Sequence, residues 1–225
     1  MTLELFSATL RQPTWESCLN SWHHPYTLLD NKACGDSLME SYQKAAESSS
    51  ADILGYVHDD VVCLVDDWKA RVMAEFDDSE VGLVGFGGAL SHGTPDIYRT
   101  SYVLTQIGRG KFLSNMKEAE NHGRRFQGSC DVAVLDGFVL FVRKAILDKC
   151  GGWPVDSKVG YIGYDYWISC MTRRLGYRIR LVGVSCDHLG GKSTGLNPEL
   201  DVDFDGAHRA IYDEFRDVLP FEVSQ

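Results

Sequence analysis

The tripeptide His58-Asp59-Asp60 ends an apolar run of strand length, Ile53–Val57, and a second apolar run, Val61–Val65, follows at once. A buried strand that ends this way pushes an imidazole and two carboxylates out of its C-terminal edge, where open α/β sheets bind ligands. Adjacent carboxylates repel unless positive charge lies near them, and a divalent cation supplies it. The plain alternative is a solvated turn, since Asp is common where strands end. The apolar flanks favour a metal or phosphate-linked site, because they bury a cluster that a turn would leave in water.

Three other positions pose the same kind of choice. Asp136-Gly137 lies between the strand-like runs Val132–Leu135 and Phe138–Val142. It reads either as a hairpin turn or as a kink at Gly137 that admits a ligand while Asp136 faces it. Asp165 falls in the first turn of a helical pattern, among Tyr164, Tyr166 and Trp167. It is either a cap or a general base whose pKa partial burial raises. His188, at the end of the last strand-like segment, is either a structural imidazole or a third ligand opposite the two acids.

The elements that must position these residues follow from the pattern of apolar positions and breakers. Leu3–Ala8 and Tyr26–Leu29 read as strands around a helix over Trp15–Trp22 capped by Thr14, a βαβ unit that predicts a parallel sheet. Gly35-Asp36-Ser37 opens a helix over Leu38–Ser48, and Asp66-Asp67 precedes a helix over Trp68–Phe76. Val81–Phe86 is a buried strand ended by Gly87-Gly88. From His92 to Gln127 the pattern weakens into a long polar insertion with the basic clusters Arg109-Gly110-Lys111 and Arg124-Arg125, a solvated loop or a substrate lid. Lys144–Lys149 is a short helix stopped by Gly151-Gly152, Tyr161–Tyr177 a longer one ending at Gly176, and Arg178–Val184 a strand. A last helix over about 206–216 should pack on the outside.

Composition bounds the function. The 225 residues suffice for one large domain or two small ones, with a core that needs no staples. A formal charge of −10 argues against a nucleic-acid partner, which needs a basic face. Seven scattered cysteines without a CxxC spacing predict reduced thiols in a cytosolic protein rather than a zinc site or a disulfide framework. No apolar run approaches membrane-spanning length, so the sequence predicts a soluble, cytoplasmic chain or module.

Taken in order, the pieces resemble the nucleotide-sugar glycosyltransferases of the GT-A fold, closest to the family 2-like group. Strand-His58-Asp59-Asp60 resembles the DxD-type motif. Asp136-Gly137 before Phe138–Arg143 resembles the DG-apolar-Arg stretch, and Cys150-Gly151-Gly152-Trp153-Pro154 the turn that follows it. Tyr164-Asp165 followed by Gly176-Tyr177 has the spacing of the ED-type acid and its closing Gly-Tyr. The chain departs from the pattern in having His58 for the first Asp, Tyr164 for the first acid of ED, Met171 for an Arg, and Ala8-Thr9-Leu10-Arg11 after the first strand.

The resemblance implies a GT-A type, Rossmann-like three-layer α/β/α fold with a central, mostly parallel sheet over residues 1–192. Residues 1–90 would form the nucleotide-binding half and 91–192 the acceptor and catalytic half, with 193–225 a tail carrying a packing helix. It implies Mn²⁺ or Mg²⁺ held by Asp60 and His188, with His58 and Asp59 beside it on the donor. Ala8 and Thr9 would give backbone contacts to the nucleotide, Asp30 would contact its base or ribose, and Asp136 and Gly137 would line the donor-sugar pocket. Asp165 would take the proton of the acceptor hydroxyl, with inversion. The donor would be a nucleotide-diphosphate sugar and the acceptor a glycan, glycoprotein or small molecule. A sugar-phosphate nucleotidyltransferase would want a Gly-rich loop after the first strand, and Ser7–Pro13 has Arg11 but no glycine. A non-catalytic nucleotide- or sugar-binding module would tolerate loss of Asp60 or Asp165, yet both are present. The third alternative is a structural domain whose acids are caps and turns.

Overall fold

A computed structural model describes residues 1–9, 14–93, 112–117, 123–155, 159, 163–189 and 204–223. The strands in chain order are β1 (Leu3–Thr9), β2 (Tyr26–Asp30), β3 (Ile53–Val57), β4 (Val61–Cys63), β5 (Val81–Gly85), β6 (Gly87–Ala89), β7 (Ser91–His92) and β8 (Phe112–Ser114). They continue with β9 (Arg124–Arg125), β10 (Ser129–Asp131), β11 (Val134–Leu135), β12 (Val139–Arg143), β13 (Arg178–Val182), β14 (Cys186–His188) and β15 (Phe221–Glu222).

The main sheet has seven strands in the order β10-β13-β5-β12-β3-β1-β2. β2, β1 and β3 pair in parallel, as do β5 and β13, while β12 runs against both β3 and β5 and β10 runs against β13. The sheet is therefore mostly parallel, and its inner strands are buried end to end. Side chains alternate between two cores. Leu54, Tyr56, Leu140 and Val142 face one side with Tyr42, Ile146, Ile168 and Phe215 from the helices Leu38–Ser48, Lys144–Cys150, Tyr164–Arg174 and the segment after Phe204–Glu214. Ile53, Val57, Val139 and Phe141 face the other with Leu19, Trp22, Val72 and Phe76 around the helices Trp15–Asn20 and Trp68–Phe76. Helices on both faces of one sheet make the three-layer α/β/α sandwich.

Local chemistry explains the helix starts. Ser37 and Glu40 form a reciprocal capping box that opens Leu38–Ser48. Gly151, at φ 83°, ends Lys144–Cys150 in the left-handed region that glycine tolerates. Thr14 does stand before Trp15–Asn20, but its side chain makes no capping bond.

Several expectations change. Gly87-Gly88 does not end the β5 segment outright; Gly87–Ala89 is β6, which joins a second, four-stranded sheet in the order β11-β6-β8-β9. Asp136-Gly137 is no hairpin turn, because β11 pairs with β6 while β12 pairs with β3 and β5. The dipeptide instead carries the chain from one sheet to the other. From the polar insertion, Phe112–Ser114 and Arg124–Arg125 form β8 and β9, and the cluster Arg109-Gly110-Lys111 lies outside the described residues. The C-terminal helix, Phe204–Glu214, is more than an outer cover: Ile211 is 1% exposed and Phe215, just beyond it, is fully buried in the first core. β15 then pairs antiparallel with β7. All seven cysteines are unpaired thiols, and no described helix is long and apolar enough to cross a membrane.

Candidate functional site

The parallel strands β1, β2 and β3 end at Thr9, Asp30 and Val57, so the residues that follow β3 emerge at a shared C-terminal edge. The loop after β3 is pinned on several sides. The His58 amide donates to Phe138 O at 3.0 Å, and the Trp22 indole donates to Val61 O at 3.1 Å. β4 pairs antiparallel with β14, which sets His188 opposite Val61, and the Leu189 amide donates to Asp60 O at 3.0 Å.

This pinning separates the two adjacent acids. Asp60 turns toward the histidines: His188 Nε2 lies 3.3 Å and His58 Nδ1 4.0 Å from Asp60 Oδ1. One ligand atom from each of the three lies within 4.8 Å of the others, a spacing that can hold a metal ion. The His188 ring stacks on Phe138 with centroids 5.1 Å apart and meets His58 edge-on at 5.7 Å. Asp59 turns away and accepts a hydrogen bond from the Thr9 hydroxyl at 2.5 Å.

Electrostatics follow the same division. Burial, and then the neighbouring His188, pushes the His58 imidazole down to about 4, so it is neutral at pH 7. Burial opposes the charge on Asp60, but the hydrogen bond and charge of His188, with His58, hold its carboxyl below the usual range. Burial also opposes the charge on His188, yet Asp60 raises it above an ordinary imidazole. The Asp59 carboxyl is raised by burial and by Asp60, with the Thr9 hydroxyl pulling the other way.

Asp165 lies in the first turn of the helix Tyr164–Arg174. Its Oδ2 accepts from the Gly137 amide at 3.0 Å and its Oδ1 from the Tyr166 amide at 2.9 Å. Burial, and then the charge of Asp136, pushes its carboxyl up to about 7, which suits a group that takes a proton near neutral pH. The preceding residue holds the carbonyl of that same glycine: the Tyr164 hydroxyl donates to Gly137 O at 2.9 Å and meets His58 Nε2 at 2.8 Å. Gly137 has no positive φ. Its small size matters instead, because a Cβ there would lie 2.3 Å from the Tyr164 hydroxyl. Asp136 takes the Phe138 amide on Oδ1 at 3.2 Å.

The expected site residues thus fall into two groups. His58, Asp60, His188, Asp136, Gly137 and Asp165 form one linked set around the β3 loop. Ala8, Thr9 and Asp30 sit together at the ends of β1 and β2, where Ala8 pairs with Leu29 and Thr9 with Asp30. There Asp30 accepts from the Ala33 amide at 3.1 Å and caps the short helix Asn31–Cys34. Asp59 bridges the groups through Thr9. Two roles escaped sequence reasoning: the Thr9 side chain as the anchor of Asp59, and Tyr164 as the link between His58 and Gly137. The only signal for the second was a tyrosine where the related motif carries an acid.

Comparisons with known proteins agree with this architecture. The fold is similar to that of the mannosyltransferase PcManGT from Pyrobaculum calidifontis, solved in complex with GDP-Man and Mn²⁺. The identity is 14% and the TM-score 0.52, over 85% of this chain and 57% of that one. It is also similar to GalNAc-T7, solved with UDP, GalNAc and Mn²⁺, at 10% identity and a TM-score of 0.54, over 84% of this chain and 44% of that one. This chain therefore spans about half the length of either. Likeness at such identity speaks to fold alone, and the fold is GT-A. The comparison with curated proteins gave no match. The model of the "Glycosyltransferase like family" matches residues 29–187, most of the sequence, a span that holds His58, Asp60, Asp136, Gly137 and Asp165 and stops one residue before His188. The chain belongs to that glycosyltransferase-like family.

Proposed function

We propose that this protein is a metal-dependent glycosyltransferase that moves a sugar from a nucleotide-diphosphate donor to an acceptor hydroxyl with inversion. The observation that carries the reading is the meeting of His58, Asp60 and His188 within 4.8 Å, linked through Gly137 to Asp165, in a chain of this family.

The donor set fits a divalent cation. Two imidazole nitrogens and one carboxylate oxygen favour Mn²⁺ over Mg²⁺, which prefers oxygen ligands throughout. Bound there, the cation would offset the negative charge that gathers on the leaving diphosphate. Asp165 accepts the proton of the acceptor hydroxyl as its oxygen attacks the anomeric carbon. Its raised pKa makes it a competent base near neutral pH, and the Gly137 and Tyr166 amides hold its two oxygens in place. Asp136 and Gly137 line the donor-sugar side. Ala8, Thr9 and Asp30, at the ends of the two outer strands, offer backbone and side-chain groups to the nucleotide. The acceptor is a glycan, a glycoprotein or a small hydroxyl compound.

The test is a panel of UDP- and GDP-sugars with and without Mn²⁺, read by melting temperature and by release of nucleoside diphosphate. A donor raises the melting temperature only with Mn²⁺, and Asp60→Ala abolishes the shift. Asp165→Asn keeps the shift but slows release by about 100-fold or more. A shift without turnover, equal in wild type and Asp165→Asn, would mean a binding module. No shift with any nucleotide sinks the donor site.

A further inference from the structure

We infer that Tyr164 is a positioning residue whose phenol fixes the His58 imidazole in the tautomer that turns its Nδ1 lone pair toward Asp60 and His188. The inference rests on the metal-dependent reading above and concerns the residue at which this chain departs from the acidic pair of its relatives.

The Tyr164 hydroxyl has one proton, and both Gly137 O at 2.9 Å and His58 Nε2 at 2.8 Å lie within hydrogen-bond reach of it. A carbonyl oxygen can only accept, so the proton belongs to the bond with Gly137. The phenol oxygen then accepts, and His58 Nε2 must be the N–H that donates to it. A neutral imidazole carries one N–H, which leaves the lone pair on Nδ1. Nδ1 is the ring atom 4.0 Å from Asp60 Oδ1, on the side where His188 Nε2 approaches the same oxygen. The alternative tautomer would place an N–H on the metal-facing side and a lone pair against the phenol oxygen.

The phenol can enforce this because it does not swing. Tyr164 is 5% exposed, the first residue of its helix, with Tyr42 edge-on at 5.8 Å and Trp153 at 6.1 Å. Trp153 is held in turn by its indole N–H, which donates to the Tyr56 hydroxyl at 3.1 Å. Gly137 leaves the phenol its space, since a Cβ would collide with it at 2.3 Å. Asp165 takes the amide of that same glycine, so the acceptor of the phenol proton is fixed as well. A metal-binding histidine whose second nitrogen is held this way binds its ion about 10- to 100-fold more tightly than one without that partner.

The experiment uses Tyr164→Phe, which keeps the ring and removes only the hydroxyl. Long-range proton–nitrogen correlation spectra of the metal-free, ¹⁵N-labelled protein read the His58 tautomer, with the signal assigned by its loss in His58→Asn. Mn²⁺ affinity is read from the electron paramagnetic resonance of the free ion. The expected result is a single Nε2–H tautomer in wild type, a mixture in Tyr164→Phe, and Mn²⁺ affinity weakened about tenfold or more in the variant. An Nδ1–H tautomer in wild type overturns the inference, whether or not Tyr164→Phe folds. So does unchanged Mn²⁺ affinity in a folded Tyr164→Phe. If affinity is unchanged there while Asp60→Ala loses both Mn²⁺ and sugar transfer, the inference falls and the transferase reading stands. If wild type and variant differ as expected but no nucleotide-sugar turns over, the transferase reading falls and the role of Tyr164 at the metal site stands.

Discussion

The Thr9 hydroxyl and the Asp59 carboxylate share a 2.5 Å hydrogen bond, tying the end of β1 to the loop after β3. Both residues are buried, so the bond decides whether a charge there is tolerated. Thr9→Val keeps the shape and removes the donor, and should destabilise the fold by about 1–3 kcal/mol. Asp59 already has a raised pKa, so its folded form binds a proton more readily than its unfolded form. Losing the donor raises it further. The loss in a urea melt should therefore be larger at pH 8, where the carboxylate is ionised, than at pH 5.

Asp165 gives a pH dependence in two opposite senses. As a base it must be ionised, so transfer should rise about tenfold per pH unit below a pKa of about 7 and level off above it. Stability moves the other way. The folded chain keeps a proton that the unfolded chain releases at the ordinary value of 3.8, so this group's contribution is greatest below 3.8 and is lost as pH rises to about 7. Asp165→Asn should abolish the rate profile and flatten the stability profile. Rate and melting curves across pH 4–9 check both.

Gly137→Ala should fail for steric reasons alone. Its Cβ would sit 2.3 Å from the Tyr164 hydroxyl and 2.6 Å from the ring carbon bearing it, so the phenol must move. Overpacking of this kind destabilises by about 1–3 kcal/mol. A chemical melt should show that loss, and Mn²⁺ titration should show a weaker site, because the displaced phenol no longer meets His58.

Phe215→Ala should show that the C-terminal segment belongs to the main core. Phe215 is fully buried beside Ile211, in one apolar cluster with Leu140 and Ile168. Truncating a buried Phe costs about 3–5 kcal/mol. Circular dichroism and tryptophan fluorescence should report one shared, lowered transition rather than the early loss of a separate tail.

The main sheet and its helices were legible because each carries a long, regular signal. Ile53–Val57, Leu38–Ser48 and Trp68–Phe76 form where apolar spacing and flanking Ser and Asp residues predict them. The second sheet was not legible. Its strands are two or three residues long, too short for any period, and β6 and β8 hold together through partners distant in sequence. At the site, His58, Asp60 and His188 could be nominated because ligand-type residues at strand ends are visible as letters. The parting of Asp59 from Asp60 was not visible, because it depends on Thr9 reaching across from a neighbouring strand. Nor was the bond from Tyr164 to His58, whose partners are 106 residues apart. Type can be read from a sequence, but orientation depends on what packs behind it.

The place of β12 shapes the route by which the chain folds. It lies between β3 and β5, with Leu140 opposite Tyr56 on one side and Gly85 on the other. The block β1–β2–β3 assembles from neighbouring segments, and β5 and β13 belong to a second block. In the sheet the two are joined only through residues 139–143. Closing such long loops is a large entropic cost for a chain like this one, so β12 is expected in the folding nucleus, which stopped-flow folding and unfolding rates of a Leu140→Ala variant would check. Weakening Leu140 should slow folding, whereas weakening the outer strand β2 should chiefly hasten unfolding.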